Sequence, residues 1–297
     1  MRIAVTYAPY LSQWFEDVAI ATWKAMNEIG YHAELIPTKS LDDFNESKHD
    51  LIFVIAPHGF HENPNMPKDF SKNPNKIYAC WDLEQTPFHD QINDTTARRY
   101  QRTLEYFNKY DFFFTESESK TKYFLAQGYK AHTLNFGYHP HYTKQIDAEK
   151  EFDLFFVGIM FPRRAAILNA LIGAGLRLYP ATNNLFDPLL KAKAIRSSKI
   201  CLNIHHNEMN YFEKPRIIQD IMANGGFCVT ETIAHPEGFI HGHQFIMATY
   251  DALVPTVLDW VKRPPADREQ IAKNALNYLI MEHPASRFIA DALVCSK

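Results

Sequence analysis

The chain has 297 residues, 46% of them hydrophobic, with 31 basic against 34 acidic side chains and a net charge of −3. That balance excludes a global pull toward nucleic acid or anionic lipid, and the apolar share suffices for one large core or two of about 150 residues. No unbroken run of about 18 apolar residues occurs, which argues against a membrane span.

The amino terminus, "MRIAVTYAPY", reads as a first strand and not as a signal peptide, because its apolar run is short. Residues 13–29 carry an amphipathic helical pattern that stops at Gly30, and "HAELIP" reads as a second strand. "DLIFVIAP" is a continuous apolar run of the kind buried on both faces of a parallel sheet, and "KIYACW" is another. Residues 91–109 are expected to be helical. "YDFFFTES" is a strand, Ser117 opens a helix that stops at Gly128, and "KAHTLNFG" closes the series. A polar, proline-containing segment, 139–151, breaks both periodicities and is the expected linker.

A second series follows. "FDLFFVG" is a strand, 163–174 a helix, "LRLYP" a strand, 187–197 a helix and "KICLNIHH" a strand. Then come "FEKPRIIQDIMANGGFCVTE", read as a short helix running into a strand, and the short strand "QFIMAT". Helices over 251–262, 267–283 and 285–295 close the chain, punctuated by Pro264, Pro265 and Pro284. This alternation predicts an α/β protein of two Rossmann-like domains facing each other across a cleft: 1–138, and 152–297 after the linker. Cys80, Cys201, Cys228 and Cys295 are far apart, three of them in apolar patterns, so buried free thiols and a reducing, cytoplasmic location are expected.

In open parallel sheets ligands bind at the carboxyl ends of strands, which ranks the loops. In "FFVGIMFPRRAAIL" a strand ends at Gly158, Pro162 suits a first helical position, and Arg163 and Arg164 fall in the first turn. Basic residues there oppose the helix dipole. A phosphate bound by Arg163 or Arg164 at that helix start would account for them; solvation or pairing with a carboxylate is the alternative. In "FEKPRIIQD", Glu213 precedes the helix, Arg216 is a second candidate phosphate ligand, and Asp220 lies further along, where a carboxylate can accept from sugar hydroxyls. Glu213 as a helix-start charge and Asp220 as a surface residue is the competing reading.

In "CLNIHHNEMNYFEKP", Asn203, His205 and Asn210 are candidates to line a nucleotide or sugar pocket. His58, after a buried strand, is a candidate general base, with a structural histidine as the alternative; Asp82 and Glu84 follow another strand, and Asp82 is the preferred acceptor-side acid or base. Trp81 either stacks on a sugar or packs. The pairs His139/His141, His205/His206 and His241/His243 lack a third ligand fixed by spacing, so no metal site is expected.

"KPRIIQDIMANGGFCVTE" resembles a segment near the donor nucleotide in bacterial CgeB-like (spore maturation type) glycosyltransferases. "FDLFFVGIMFPRRAAILNAL", "AHTLNFGYHPHY" and "IYACWDLEQTP" resemble further parts of that group. The resemblance implies a GT-B fold and transfer of a sugar from a nucleotide-sugar donor, with no cofactor and no metal, the diphosphate being held by arginine, lysine and helix dipoles. It implies Arg164 and Arg216 on the diphosphate, Asp220 on the ribose and Glu213 on the donor sugar. The wider retaining group carries two glutamates near this helix; here Asp220 matches the second, shortened, and Glu213 sits one residue nearer than the pattern. The partners implied are the donor and an acceptor, with neither a membrane span nor direct nucleic-acid binding indicated. A GT-B-shaped binding or assembly protein without catalysis, and a nucleotide-sugar epimerase, remain the competing readings.

Overall fold

The computed structural model describes residues 1–11, 13–61, 70–84, 102–180, 187–208 and 212–294. The chain divides into two compact units: Met1–His139 together with Pro284–Lys297, and Pro140–His283.

The first unit is built on β1 (Arg2–Thr6), β2 (His32–Leu35), β3 (Leu51–Ile55), β4 (Ile77–Asp82), β5 (Phe112–Thr115) and β6 (Ala131–Thr133). All are parallel, in the order β2-β1-β3-β4-β5-β6. β3 is buried at every position, as its unbroken apolar sequence requires of a strand covered on both faces. Helix α1 (Gln13–Glu28) covers part of the sheet. Helix α2 (Glu118–Ala126) starts where Ser117 accepts a hydrogen bond from the Lys120 N–H. Aromatic side chains fill one side of the core, with Phe107 stacked on Phe113 at 4.1 Å. Of the helix expected over 91–109, residues 102–107 are helical and 91–101 lie outside the described residues.

The second unit carries β7 (Phe152–Phe155), β8 (Ser198–Asn203), β9 (Cys228–Glu231) and β10 (Ile246–Ala248), parallel and ordered β10-β9-β8-β7. Helices α3 (Pro162–Gly173), α4 (Pro188–Arg196), α5 (Tyr250–Lys262) and α6 (Pro265–Glu282) fall within two residues of the expected limits. The expected strand "LRLYP" shrinks to one bridge between Leu178 and Leu154. At the sheet edge it has one neighbour to pair with, and its side chains stay partly exposed. This segment flanks β7 on one side and β8 flanks it on the other, so the chain reverses direction across the sheet between β7 and β8. That is the switch point where such sheets open a crevice.

Pro215–Ile221, expected as an ordinary helix, is a π-helix, with the Met222 N–H reaching the Ile217 carbonyl. The wide turns leave carbonyls short of partners, and Asn224 Nδ2 supplies them, donating to Asp220 O at 2.8 Å and Gln219 O at 3.5 Å.

Two boundaries differ from the sequence expectation. The polar segment after His139 is anchored on the second unit: Thr143 Oγ1 donates to Ala223 O at 2.8 Å and the Lys144 N–H to Asn224 Oδ1 at 2.9 Å. Helix α7 (Ala285–Val294) belongs to the first unit, not the second, because it packs its apolar face against α1. The Ala285 N–H donates to Tyr138 O at 2.7 Å, and a Cβ on Gly137 would lie 2.5 Å from the Ala285 Cα, so only glycine permits that approach. Among the described residues no helix is long and apolar enough to cross a membrane.

Candidate functional site

The carboxyl ends of β7, β8 and β9 bring together residues far apart in sequence. After β7 the chain turns at Gly158, with φ +150°, a conformation side-chain-bearing residues rarely adopt. A Cβ there would meet Arg216 Nη2 at 3.0 Å and Arg164 Nη1 at 3.2 Å, so two guanidinium groups converge on one bare patch of backbone. Helix α3 begins just beyond, with Phe161 at its N-cap offering no side-chain hydrogen bond and Pro162 next.

Each guanidinium is held in place. Arg164, buried, donates from Nε to Ile204 O at 2.8 Å and from Nη1 to Ile159 O at 3.0 Å. Arg216 donates to Asn203 Oδ1 at 3.0 Å, and Asn203 Nδ2 donates to Thr230 Oγ1 at 3.0 Å. Glu213 joins the two arginines, 2.6 Å from Arg216 and 3.5 Å from Arg164.

Arg163 is arranged differently. Its guanidinium makes two hydrogen bonds of 2.5 Å with Glu231, donates to His205 O at 3.2 Å and lies 3.9 Å over the Tyr250 ring. Glu231 also accepts from the His205 N–H at 2.7 Å, so the Glu231–Arg163 pair grips the His205 backbone on both sides. The His205 ring is buried. Burial pushes its pKa below the ordinary value and the guanidiniums of Arg163 and Arg216 add to this, against the opposing pull of Glu213 and Glu231. The ring is therefore neutral near pH 7.

Sequence reasoning had singled out Gly158, Arg163, Arg164, Asn203, His205, Glu213 and Arg216, and the fold brings all seven together. It commits Arg163 to a carboxylate, the alternative weighed for it. Asp220 is paired with Lys191 of α4 at 2.8 Å. Asn210 lies outside the described residues. Glu231, Thr230 and Tyr250 were missed. The strand-end rule would have found Glu231, the last residue of β9.

His58 and Asp82 belong to the first unit. Asp82, at the end of β4, is 1% exposed; its Oδ1 accepts from the Glu84 N–H at 3.1 Å and its Oδ2 lies 3.0 Å from Lys120 Nζ. Lys120, equally buried, is 3.2 Å from Glu116 and donates to Glu84 O. Burial alone would lower the Lys120 pKa, but Asp82 and Glu116 outweigh it and raise the value. His58 Nε2 is 3.6 Å from Glu84 Oε1, and its ring meets Phe15 edge-on at 5.1 Å. Just ahead of it Ala56 has φ +53°, a strained conformation for a residue with a Cβ. Trp81 packs inside against Phe136 at 6.1 Å and is 4% exposed, which favours the packing role over sugar stacking.

Residues 180–293 match a family described as glycosyl transferase-like. No curated protein matches the chain by sequence. Among solved structures, HepE of Anabaena in complex with UDP-glucose is similar with a TM-score of 0.64 at 10% identity, over 100% of this chain and 99% of that one. An alpha-glucosyltransferase in complex with UDP is similar with a TM-score of 0.66 at 10% identity, over 100% of both chains. An alpha-glucosyltransferase in complex with UDP and a 13-mer DNA gives a TM-score of 0.66 at 9% identity, over 100% and 98%. The fold is thus shared along the whole chain with that of GT-B glycosyltransferases.

Proposed function

We propose that the chain is a metal-independent glycosyltransferase of the CgeB-like group, moving a sugar from a nucleotide-diphosphate sugar to an acceptor hydroxyl. The observation that carries this is the convergence of Arg164 and Arg216 over Gly158 at the β7/β8 switch point. Two fixed guanidiniums and an uncapped helix start over a residue without a side chain suit a diphosphate. The UDP in the similar structures makes uridine the first base to try.

In this reading Arg164 and Arg216 bind the diphosphate, and Asn203 keeps Arg216 aimed. His205 lines the pocket, Asp220 meets the ribose and Glu213 the donor sugar. As the glycosidic bond breaks, negative charge grows on the departing phosphate. The guanidiniums are already oriented by Ile204 O, Ile159 O and Asn203 Oδ1, so they favour that state over the ground state without reorganising. On the acceptor side Lys120 already engages Asp82, which leaves His58, beside Glu84, as the favoured proton acceptor. The buried free thiols of Cys80, Cys201 and Cys228 support a cytoplasmic location.

A thermal-shift screen against UDP-, GDP-, dTDP- and CMP-sugars tests the donor. A diphosphate sugar should raise the midpoint of the wild-type chain by mass action. Arg164→Ala should abolish that rise. Because Arg164 is buried, the more exposed Arg216 gives the second variant, Arg216→Gln, which should also lose the rise. A full shift in both variants would overturn the phosphate assignment.

A further inference from the structure

At the point where the two guanidiniums converge, the anion already present is the protein's own. Glu213 divides its carboxylate between them, Oε2 at 2.6 Å from Arg216 Nη1 and Oε1 at 3.5 Å from Arg164 Nη2. The neighbouring charges are matched elsewhere: Arg163 with Glu231, Lys214 with Glu237 at 2.6 Å, Lys191 with Asp220. His205, buried beside them, is held neutral. Glu213 is itself 8% exposed, so a partner it loses is not readily replaced by water.

Resting on the donor-site reading above, we infer that Glu213 is a specificity-determining residue by which the site prefers a nucleotide sugar to the bare nucleotide diphosphate. A diphosphate that settles between Arg164 and Arg216 must take the guanidinium N–H groups that Glu213 uses. A bare nucleotide then leaves the buried carboxylate beside the diphosphate's negative charge, without the two guanidiniums it had. A nucleotide sugar brings hydroxyl groups to the same place and gives the displaced carboxylate new hydrogen bonds. The same balance works in reverse after transfer: once the sugar has left, Glu213 competes for the arginines and speeds departure of the spent nucleotide.

The test is titration calorimetry of the full chain with inorganic pyrophosphate, UDP and UDP-glucose, comparing wild type with Glu213→Gln. Glutamine keeps the shape and removes the competing charge. Pyrophosphate and UDP should bind Glu213→Gln about tenfold more tightly than wild type, while the advantage of UDP-glucose over UDP collapses toward unity. Equal or weaker pyrophosphate and UDP binding, or an undiminished sugar advantage, overturns the inference and leaves the donor site standing. Wild type that binds none of the three brings down the donor-site reading, and this inference with it. Should Glu213→Gln not fold, Glu213→Asp decides. It keeps the charge but shortens the reach, so pyrophosphate binding should stay as weak as in wild type while the sugar advantage drops. Tight pyrophosphate binding by Glu213→Asp, or an undiminished sugar advantage, would be the contrary result.

Discussion

The two units present the same kind of opportunity and fill it with opposite charge. Both are parallel sheets whose strand ends gather ionic side chains contributed by sequence-distant loops. In the first unit two carboxylates, Asp82 and Glu116, surround one ammonium, Lys120, all buried or nearly so. In the second, three guanidiniums, from Arg163, Arg164 and Arg216, face two carboxylates, Glu213 and Glu231. Topology supplies the location, and the sign of the excess charge decides the use. A lysine enclosed by acids is internally satisfied and holds strand ends together, whereas arginines in excess over carboxylates leave a net positive charge that attracts an anion.

The strongest way to break this contrast is Lys120→Met. It strands two carboxylates in a buried setting and should cost about 3–5 kcal/mol of stability by urea unfolding, while nucleotide affinity below the transition is retained. Loss of binding without loss of stability would erase the distinction between the units. Gly158→Ala probes the other side. Its Cβ intrudes between the guanidiniums on strained backbone and should weaken nucleotide binding by about a hundredfold, read by calorimetry, with a stability loss of about 1–2 kcal/mol.

A smaller effect sharpens the picture of the second cluster. Arg163→Lys cannot reproduce the two-bond pairing with Glu231, and donor kcat should fall about tenfold, with Glu231→Gln/Arg163→Lys costing less than the two changes added. Strict additivity would show that the pair does not act as one unit. The smallest effect is in pH. His205 has a lowered folded-state pKa, so the unfolded chain takes up its proton first as pH falls. The stability it contributes is complete above 6.5 and fades as pH drops below that ordinary value. Replacing His205 by Asn should flatten the fall of the urea midpoint that begins below about pH 6.5, which starts above the window of the depressed carboxylates Glu34, Asp50 and Asp153, whose ordinary values are 4.5, 3.8 and 3.8. Unchanged binding in EDTA is the expected outcome for a diphosphate held by guanidiniums without a metal.

Much of this was legible in the residues. Apolar runs such as "LIFVI" located the parallel strands, and proline and glycine punctuation located the helix limits. The cluster around Gly158 followed from the strand-end rule together with arginines placed against a helix dipole, a local conflict that a bound anion would resolve. What stayed hidden depended on contacts over long sequence distances. Arg163 carries no sequence mark showing that Glu231, far along the chain, takes its guanidinium. Asp82 looked like a free strand-end acid because Lys120 reaches it from helix α2, far along the sequence. The π-helix escaped because it rests on Asn224 bonding back to carbonyls, and the linker because two backbone-level hydrogen bonds tie it down.

The bond between Ala285 and Tyr138 carries one more consequence. The chain departs the first unit at His139 and rejoins it at Pro284, so everything between is an insertion into that unit. During synthesis α1 must wait, its apolar flank uncovered, until the whole second unit has been translated and α7 arrives to cover it. The order of manufacture therefore makes the second unit the first that can finish folding, although it is encoded later.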